Sequence, residues 1–527
     1  MDQRSALSHY MQARLGQPDV PETQIAAGYA AAMTAEPGNK IIGLHAYREA
    51  IRAGDMALAV RAALQLQQAG ALPGDARLLL FGERLIKGDL RGARLIIDGI
   101  EQDQNFSFAA PILKAWVAMA AREDNPLAAL DLAEPNGLTI GYSGEQRALL
   151  LMATGKHAEG VTIVKSFAST NTRLISLRVS AAATLQRSKD IDGARDLLLG
   201  QDPTSEAARE MLEAGRRLPG LVSSAPQGVA QLYARIAADL LRDRAPAFAL
   251  TMTRFARTLD PHSEYVALIE AQALLAVSLD AAALSATERI APSLVYRAEF
   301  DQIRLKALEK LGRNDDAVAL ATVRANAPKA GVNEQVQRGE LLQRLKRDVD
   351  AADAYSSAIT LAEQSDDQSA LWVLWFLKGG ALERAGLWND AKLALQKAVD
   401  LAPNQPSALN YLGYAMLDRR ENIAEATALI LKASLLKPDD PAITDSLGWA
   451  YFVAGKHDLA VITLERAVAA EPTEAALSEH LGDAYWVTGR KVDARYAWQA
   501  ALLQAEGDIA NRLIEKVDIG LRSEQMK

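Results

Sequence analysis

Residues 445–474 read DSLGWAYFVAGKHDLAVITLERAVAAEPTE. The spacing predicts two short helices back to back, split at Gly455-Lys456 and stopped at Pro472. Glycine supplies the positive φ that ends the first helix, and proline cannot continue the second. Gly448 and Ala460 fall on facing helices, where lack of bulk lets two backbones approach. Leu447, Tyr451 and Leu464 recur at helical spacing and form the apolar stripe. The hairpin holds no nucleophile, metal-ligand cluster or phosphate loop, so its product is a surface rather than a reaction.

Outward from this stretch the same punctuation returns. A glycine followed five residues later by a small residue occurs as Gly54/Ala59, Gly88/Ala93, Gly155/Gly160, Gly312/Ala317, Gly386/Ala391, Gly455/Ala460 and Gly489/Ala494. Weaker copies keep only the small residue, at Ala128, Ala194, Ala249, Ala283, Ala351 and Ala426. Most consecutive spacings are 34 residues, among them Ala249 to Ala283, Ala283 to Ala317 and Ala426 to Ala460. A fixed period of this length marks a repeat architecture, in which each unit needs its neighbours to bury its apolar faces. The last four copies add Gly379, Gly413, Gly448 and Gly482 in the first helix and Ala398, Ala433, Ala467 and Ala501 in the second.

This pattern resembles the tetratricopeptide repeat (TPR), a helix–turn–helix of 34 residues. The resemblance implies an all-α, TPR-like α-solenoid, a superhelix of about 13–14 antiparallel helix pairs. Period breaks suggest the organisation. Degenerate repeats are expected over 1–215 and a linker loop over 216–228, where RRLPGLVSSAPQG is rich in Pro, Ser and Gly. Middle repeats follow over 229–360, well-matched repeats over 361–504 and a capping helix over 505–527. In that cap Ile509, Leu513, Ile514 and Val517 are expected to face inward. Residues 5–15 are expected to start the first hairpin, and AEPNGLTIGYSGEQ (133–146) to form a loop.

Composition excludes several classes. The 527 residues carry a net charge of −8, against a broad nucleic-acid surface. No cysteine is present, which excludes disulfides, thiolate metal sites and cysteine-borne lipid in this chain. No apolar run reaches the length of a membrane span. The six histidines, His9, His45, His157, His262, His457 and His480, show no metal-binding spacing. Ser143 lies between glycines in IGYSGE but without the nucleophile-elbow pattern. QSDDQS (364–369) and KPDDPA (437–442) lack calcium-loop spacing, and helix N-capping is the role expected of Asp439 and Asp440. The expectation is therefore a non-enzymatic chain with no cofactor and no metal.

In TPR arrays the first helix of each pair lines a concave groove. The resemblance places Phe376, Asn410, Tyr414, Asp445, Trp449, Phe452, Glu479, Asp483 and Trp486 there. Aromatic and acidic residues thus interleave along one face, which suits apolar or basic protein segments rather than acidic C-terminal tails. The phrases LGYAMLDR, PAITDSLGWAYF and HLGDAYWVTGRKVDARYAW are similar to exported proteobacterial TPR proteins. One branch of these are adaptors that hold a carboxyl-terminal processing protease and its cell-wall hydrolase substrates. The resemblance implies a protein-binding scaffold of the bacterial periplasm or envelope. MDQRSALSHYMQARLG shows no signal-peptide pattern, and a cytoplasmic scaffold for secretion or chaperone traffic is the alternative.

Overall fold

The structure, a computed structural model, describes residues 20–132, 137–167, 174–289, 295–364 and 368–522. The described residues form 29 α-helices and one 3-10 turn, with no strand, so the all-α, TPR-like fold is what the chain adopts. It divides into two compact units, Met1–Ala317 and Val318–Lys527. That boundary falls inside the expected middle block of repeats.

The turn logic holds in both units. Gly455 has φ 73° and open space around it, as do Gly386 at 76° and Gly489 at 85°. The weaker copies make the same turn without glycine. Lys189, Arg244, Ser278 and Lys346, each five residues before the small residue of its repeat, have φ of 67°, 59°, 60° and 57°. Gly448 has a different duty. A Cβ there would lie 2.6 Å from Leu464 Cγ, so the missing side chain admits the leucine of the facing helix. Asp440 caps the Pro441–Val453 helix, its carboxylate accepting from the Ala442 and Ile443 N–H groups at 3.0 and 3.1 Å.

The second unit is a simple stack. Its pairs are Val332–Arg344 with Asp348–Glu363, Leu371–Arg384 with Trp388–Leu401, Pro406–Asp418 with Ile423–Leu436, Pro441–Val453 with His457–Ala470, and Ala475–Val487 with Lys491–Leu502. The Gly507–Ile519 helix follows and packs on the last pair. Its core is a series of separate patches, each shared by adjacent helices. That is the signature of nearest-neighbour stability.

The first unit is built otherwise. One continuous core runs from Ala26 to Ile303. The Ala225–Arg242 helix is buried along most of its length and touches the Gly74–Ile86, Ala110–Ala120 and Gly137–Ala153 helices. Its Gly228 lies so close to the Trp116 indole that any Cβ would collide with it. The Tyr233 hydroxyl donates to the Leu78 carbonyl at 3.3 Å, and Tyr142 donates to Asp239 at 3.0 Å. Arg235, itself buried, bridges Glu145 at 3.2 Å and Asp239 at 2.8 Å. The next helix, Pro246–Leu259, packs on Lys40–Ala53, where Arg254 donates to the Ile51 carbonyl at 3.3 Å. Helices far apart in sequence thus close over one another.

Several expectations change. The 216–228 stretch is a loop as far as Ser224, as expected, but a packed one: Leu218, Val222 and Ala225 are buried, and the Gln186 side chain holds the Arg216 carbonyl and Leu218 N–H. The expected loop at 133–146 is helical from Gly137 onward, because GYSGEQRALLLMA continues one helix to Ala153. Ser143 is therefore a helix residue. In the terminal helix Leu513 is fully buried, but Ile509 and Ile514 are about half exposed and Lys516 takes the inner position instead. Residues 5–15, 133–136 and 365–367 lie outside the described residues.

Candidate functional site

The first helices of the second unit bring the expected site residues onto one side, but not into one condition. Phe376 is half-buried and meets Tyr411 edge-on, with ring centroids 5.3 Å apart. Trp372 lies 6.5 Å from Phe376. Tyr414 is half-buried on the next turn of the Tyr411 helix. Burial, with the charges of Asp445, Asp418 and Glu479, pushes its hydroxyl up to about 12. Asn410, one turn before Tyr414, keeps a buried side-chain oxygen with no hydrogen-bond partner. Trp449 is half-buried and stacks on Phe452 at 4.8 Å, while Phe452 is 7% exposed.

The acidic members are enclosed. Asp445 is 5% exposed, and both its oxygens lie about 3 Å from His480 Nδ1, at 3.0 and 2.9 Å. Glu479 and Asp483 are buried under the Gly507–Ile519 helix. Arg512 donates to both Glu479 oxygens at 2.9 Å, and Lys516 donates to Glu479 at 2.7 Å. Asp483 accepts from Lys516 and from the Trp498 indole at 2.9 Å. Trp486 is half-buried: it lies 5.4 Å from Trp498 and fills the space beside Gly520. The expectation of open carboxylates at 445, 479 and 483 gives way to acids already answered by the first helix of the following repeat or by the terminal helix.

A rule emerges from these pairs. Each acid takes a cation from the first helix of the following repeat or from the cap. Arg419 answers Glu383 at 2.5 Å, His480 answers Asp445, and Lys516 answers Glu479 and Asp483. Sequence reading placed Glu479 on this face but passed over His480 beside it, and it missed Tyr411, Arg419 and Lys516. Their separations, about one repeat from each acid, were the available signal. The half-buried remainder is an aromatic strip of Trp372, Phe376, Tyr411, Tyr414 and Trp449. Among the described residues no cluster of three His, Asp or Glu side chains could hold a metal ion.

No family model matches the chain. A protein of Pseudomonas aeruginosa described as TPR repeat-containing is 32% identical over 150 residues, covering 28% of this chain and 24% of that protein. The all-α fold of helix pairs is TPR-like. The match spans about a quarter of the length of that relative. Among solved structures, a tetratricopeptide repeat protein from Parabacteroides merdae aligns at 12% identity over 56% of this chain and 99% of that one, with a TM-score of 0.37. The Cut9–Hcn1 hetero-tetramer of the APC/C aligns at 14% identity over 97% of this chain and 99% of that one, TM-score 0.35. YrrB, described as a TPR protein with an unusual peptide-binding site, aligns at 17% identity over 37% of this chain and 97% of that one, TM-score 0.29. At these scores the three likenesses carry no argument about this chain.

Proposed function

We propose that the chain is a non-enzymatic protein-binding scaffold whose docking surface is the first-helix face of residues 371–453. One observation carries the reading. The strip Trp372, Phe376, Tyr411, Tyr414 and Trp449 stays half-buried, with Trp449 partly covered by His480, whereas the acids farther along that face are buried among their neighbours. Aromatic side chains present large contact area at low entropic penalty and dominate binding energetics at such surfaces. A partner segment with apolar anchors fits this strip, and a basic residue suits the field of Asp418, which is largely exposed beside it.

The finer form of the proposal follows the C-terminal resemblance. In it the scaffold serves a processing protease or cell-wall enzymes in a bacterial envelope. Fractionation of cells carrying the native gene tests the location. For the surface itself, the test is a crosslinking pull-down from the native host with wild type and a Phe376→Ala, Tyr414→Ala, Trp449→Ala variant. The expected result is loss of a discrete partner set from a variant with unchanged helicity. An unchanged partner set on a folded variant removes the proposal.

A further inference from the structure

His480 sits where two helix pairs meet. It belongs to the Ala475–Val487 helix, and its ring lies flat against Trp449 of the Pro441–Val453 helix, with centroids 4.4 Å apart and an interplanar angle of 20°. Its Nδ1 is 2.9 Å from Asp445 Oδ2 of that same helix. Trp449 in turn stacks on Phe452, which meets the His457 ring edge-on at 5.4 Å. One imidazole therefore binds a carboxylate and an aromatic face of the preceding repeat together. Both contacts are stronger when the imidazole is charged: the hydrogen bond becomes charge-assisted and the stack becomes a cation–π contact.

The other joints described on this face use guanidinium and ammonium groups. Arg419 holds Glu383, and Lys516 with Arg512 holds Glu479 and Asp483. Among the described joints of this face, the Asp445 joint is the one held by a histidine, the side chain whose charge changes near neutrality.

We propose that His480 is a proton-operated latch between the helix pairs 441–470 and 475–502, tying Asp445 and Trp449 to the last repeat when protonated and slackening that joint when neutral. The groups that face it set the sign. Asp445 lies across the joint, Glu479 and Asp483 lie on its own helix, and Lys516 and Arg512 of the Gly507–Ile519 helix neutralise those two acids. Tyr414, on the Pro406–Asp418 helix, is neutral in this range. Burial by itself pulls the imidazole down, but the charge and hydrogen bond of Asp445, with help from Asp483 and Glu479, raise it above its ordinary 6.5. A raised folded value means that the latch is fully closed below pH 6.5 and weakens as pH climbs through that higher value.

The experiment needs no partner. Ring carbon–proton NMR of the full chain, with the His480 signal assigned by loss in His480→Gln, gives the midpoint. It is expected above 6.5, and Asp445→Asn is expected to lower it by about one unit, a tenfold change in proton affinity. Trp449 fluorescence should rise with the same midpoint as the stacked cation is lost, and Trp449→Phe should remove that change. Hydrogen exchange supplies the mechanical readout. The ratio of exchange in the Ala475–Val487 helix to that in the Leu371–Arg384 helix, taken at one pH so that intrinsic rates cancel, should rise about threefold across the midpoint. A midpoint at or below the ordinary value, or one indifferent to Asp445→Asn, overturns the proposal. So does a normal titration with a flat exchange ratio, since that is an ion pair without a latch. The wild-type exchange ratio decides the matter even if a variant fails to fold.

Discussion

Lys516 Nζ stands 2.7 Å from Glu479 Oε1 and 2.7 Å from Asp483 Oδ2, and its side chain is 7% exposed. A buried cation held by two buried carboxylates is a closed electrostatic unit. Removing one member leaves the others charged and desolvated, which costs roughly 3–5 kcal/mol. Lys516→Met should therefore lower the unfolding midpoint of the C-terminal repeats more than any apolar truncation of the same helix. Adding Glu479→Gln and Asp483→Asn to it should recover most of the loss, as read by calorimetry.

The same cluster gives an acid limb. Burial pushes Glu479 up, but the Arg512 hydrogen bond and the Lys516 charge overcome it and hold the carboxyl at about 2. A lowered folded value contributes stability above the unfolded value of 4.5 that disappears as pH falls toward 2. Thermal midpoints measured from pH 6 to 2 should fall steeply in wild type and less steeply in Glu479→Gln.

Glu264 has the opposite sign. Burial raises its carboxyl to about 7, eased only by the Val295 N–H, and one of its oxygens has no hydrogen-bond partner. The folded chain keeps a proton there that the unfolded chain releases. Stability in the first unit should decline as pH rises from 4.5 through about 7 and stay lower beyond. Glu264→Gln should flatten that decline and gain roughly 1–2 kcal/mol at pH 8, a figure reduced for partial solvent access.

The two kinds of turn invite opposite substitutions. Lys189, Arg244, Ser278 and Lys346 hold left-handed backbone with a Cβ present. Replacing any of them by glycine relieves strain of about 1 kcal/mol, partly offset by unfolded-chain entropy. Each change should raise thermal stability slightly. Gly455→Ala should lower it by about 1 kcal/mol at a φ of 73°. Gly448→Ala should cost roughly 1–3 kcal/mol for a different reason, since Leu464 must move. A comparison of urea midpoints across the set checks all of this.

These turns also show what a reader of the sequence can and cannot recover. The repeat stands out where glycine writes the positive φ, as at Gly386, Gly455 and Gly489. It fades where lysine, arginine or serine adopts the same angle, although the backbone is unchanged. Phe376, Tyr414 and Trp449, read from the repeat register as first-helix residues, do fall in the first helices of their pairs. The state of Asp445, Glu479 and Asp483 was not legible, because the partner that encloses each acid lies in the following repeat or the terminal helix and only its own identity reveals it. The cap shows the same limit: apolarity pointed inward at Ile509 and Ile514, but the acids of the Ala475–Val487 helix draw Lys516 into that place.

The two units must also meet the ribosome differently. In the second, every patch of core joins adjacent helices, so each pair can settle soon after it emerges. In the first, Leu78 waits for Tyr233 and Ile51 waits for Arg254, partners that arrive 155 and 203 residues later. Early helices of the nascent chain therefore stay unfinished, with their apolar sides uncovered, until residues 225–259 have left the exit tunnel. Slow codons or a chaperone acting before that point would govern the yield of the whole protein, whereas a truncation after residue 317 would leave the first unit able to complete itself.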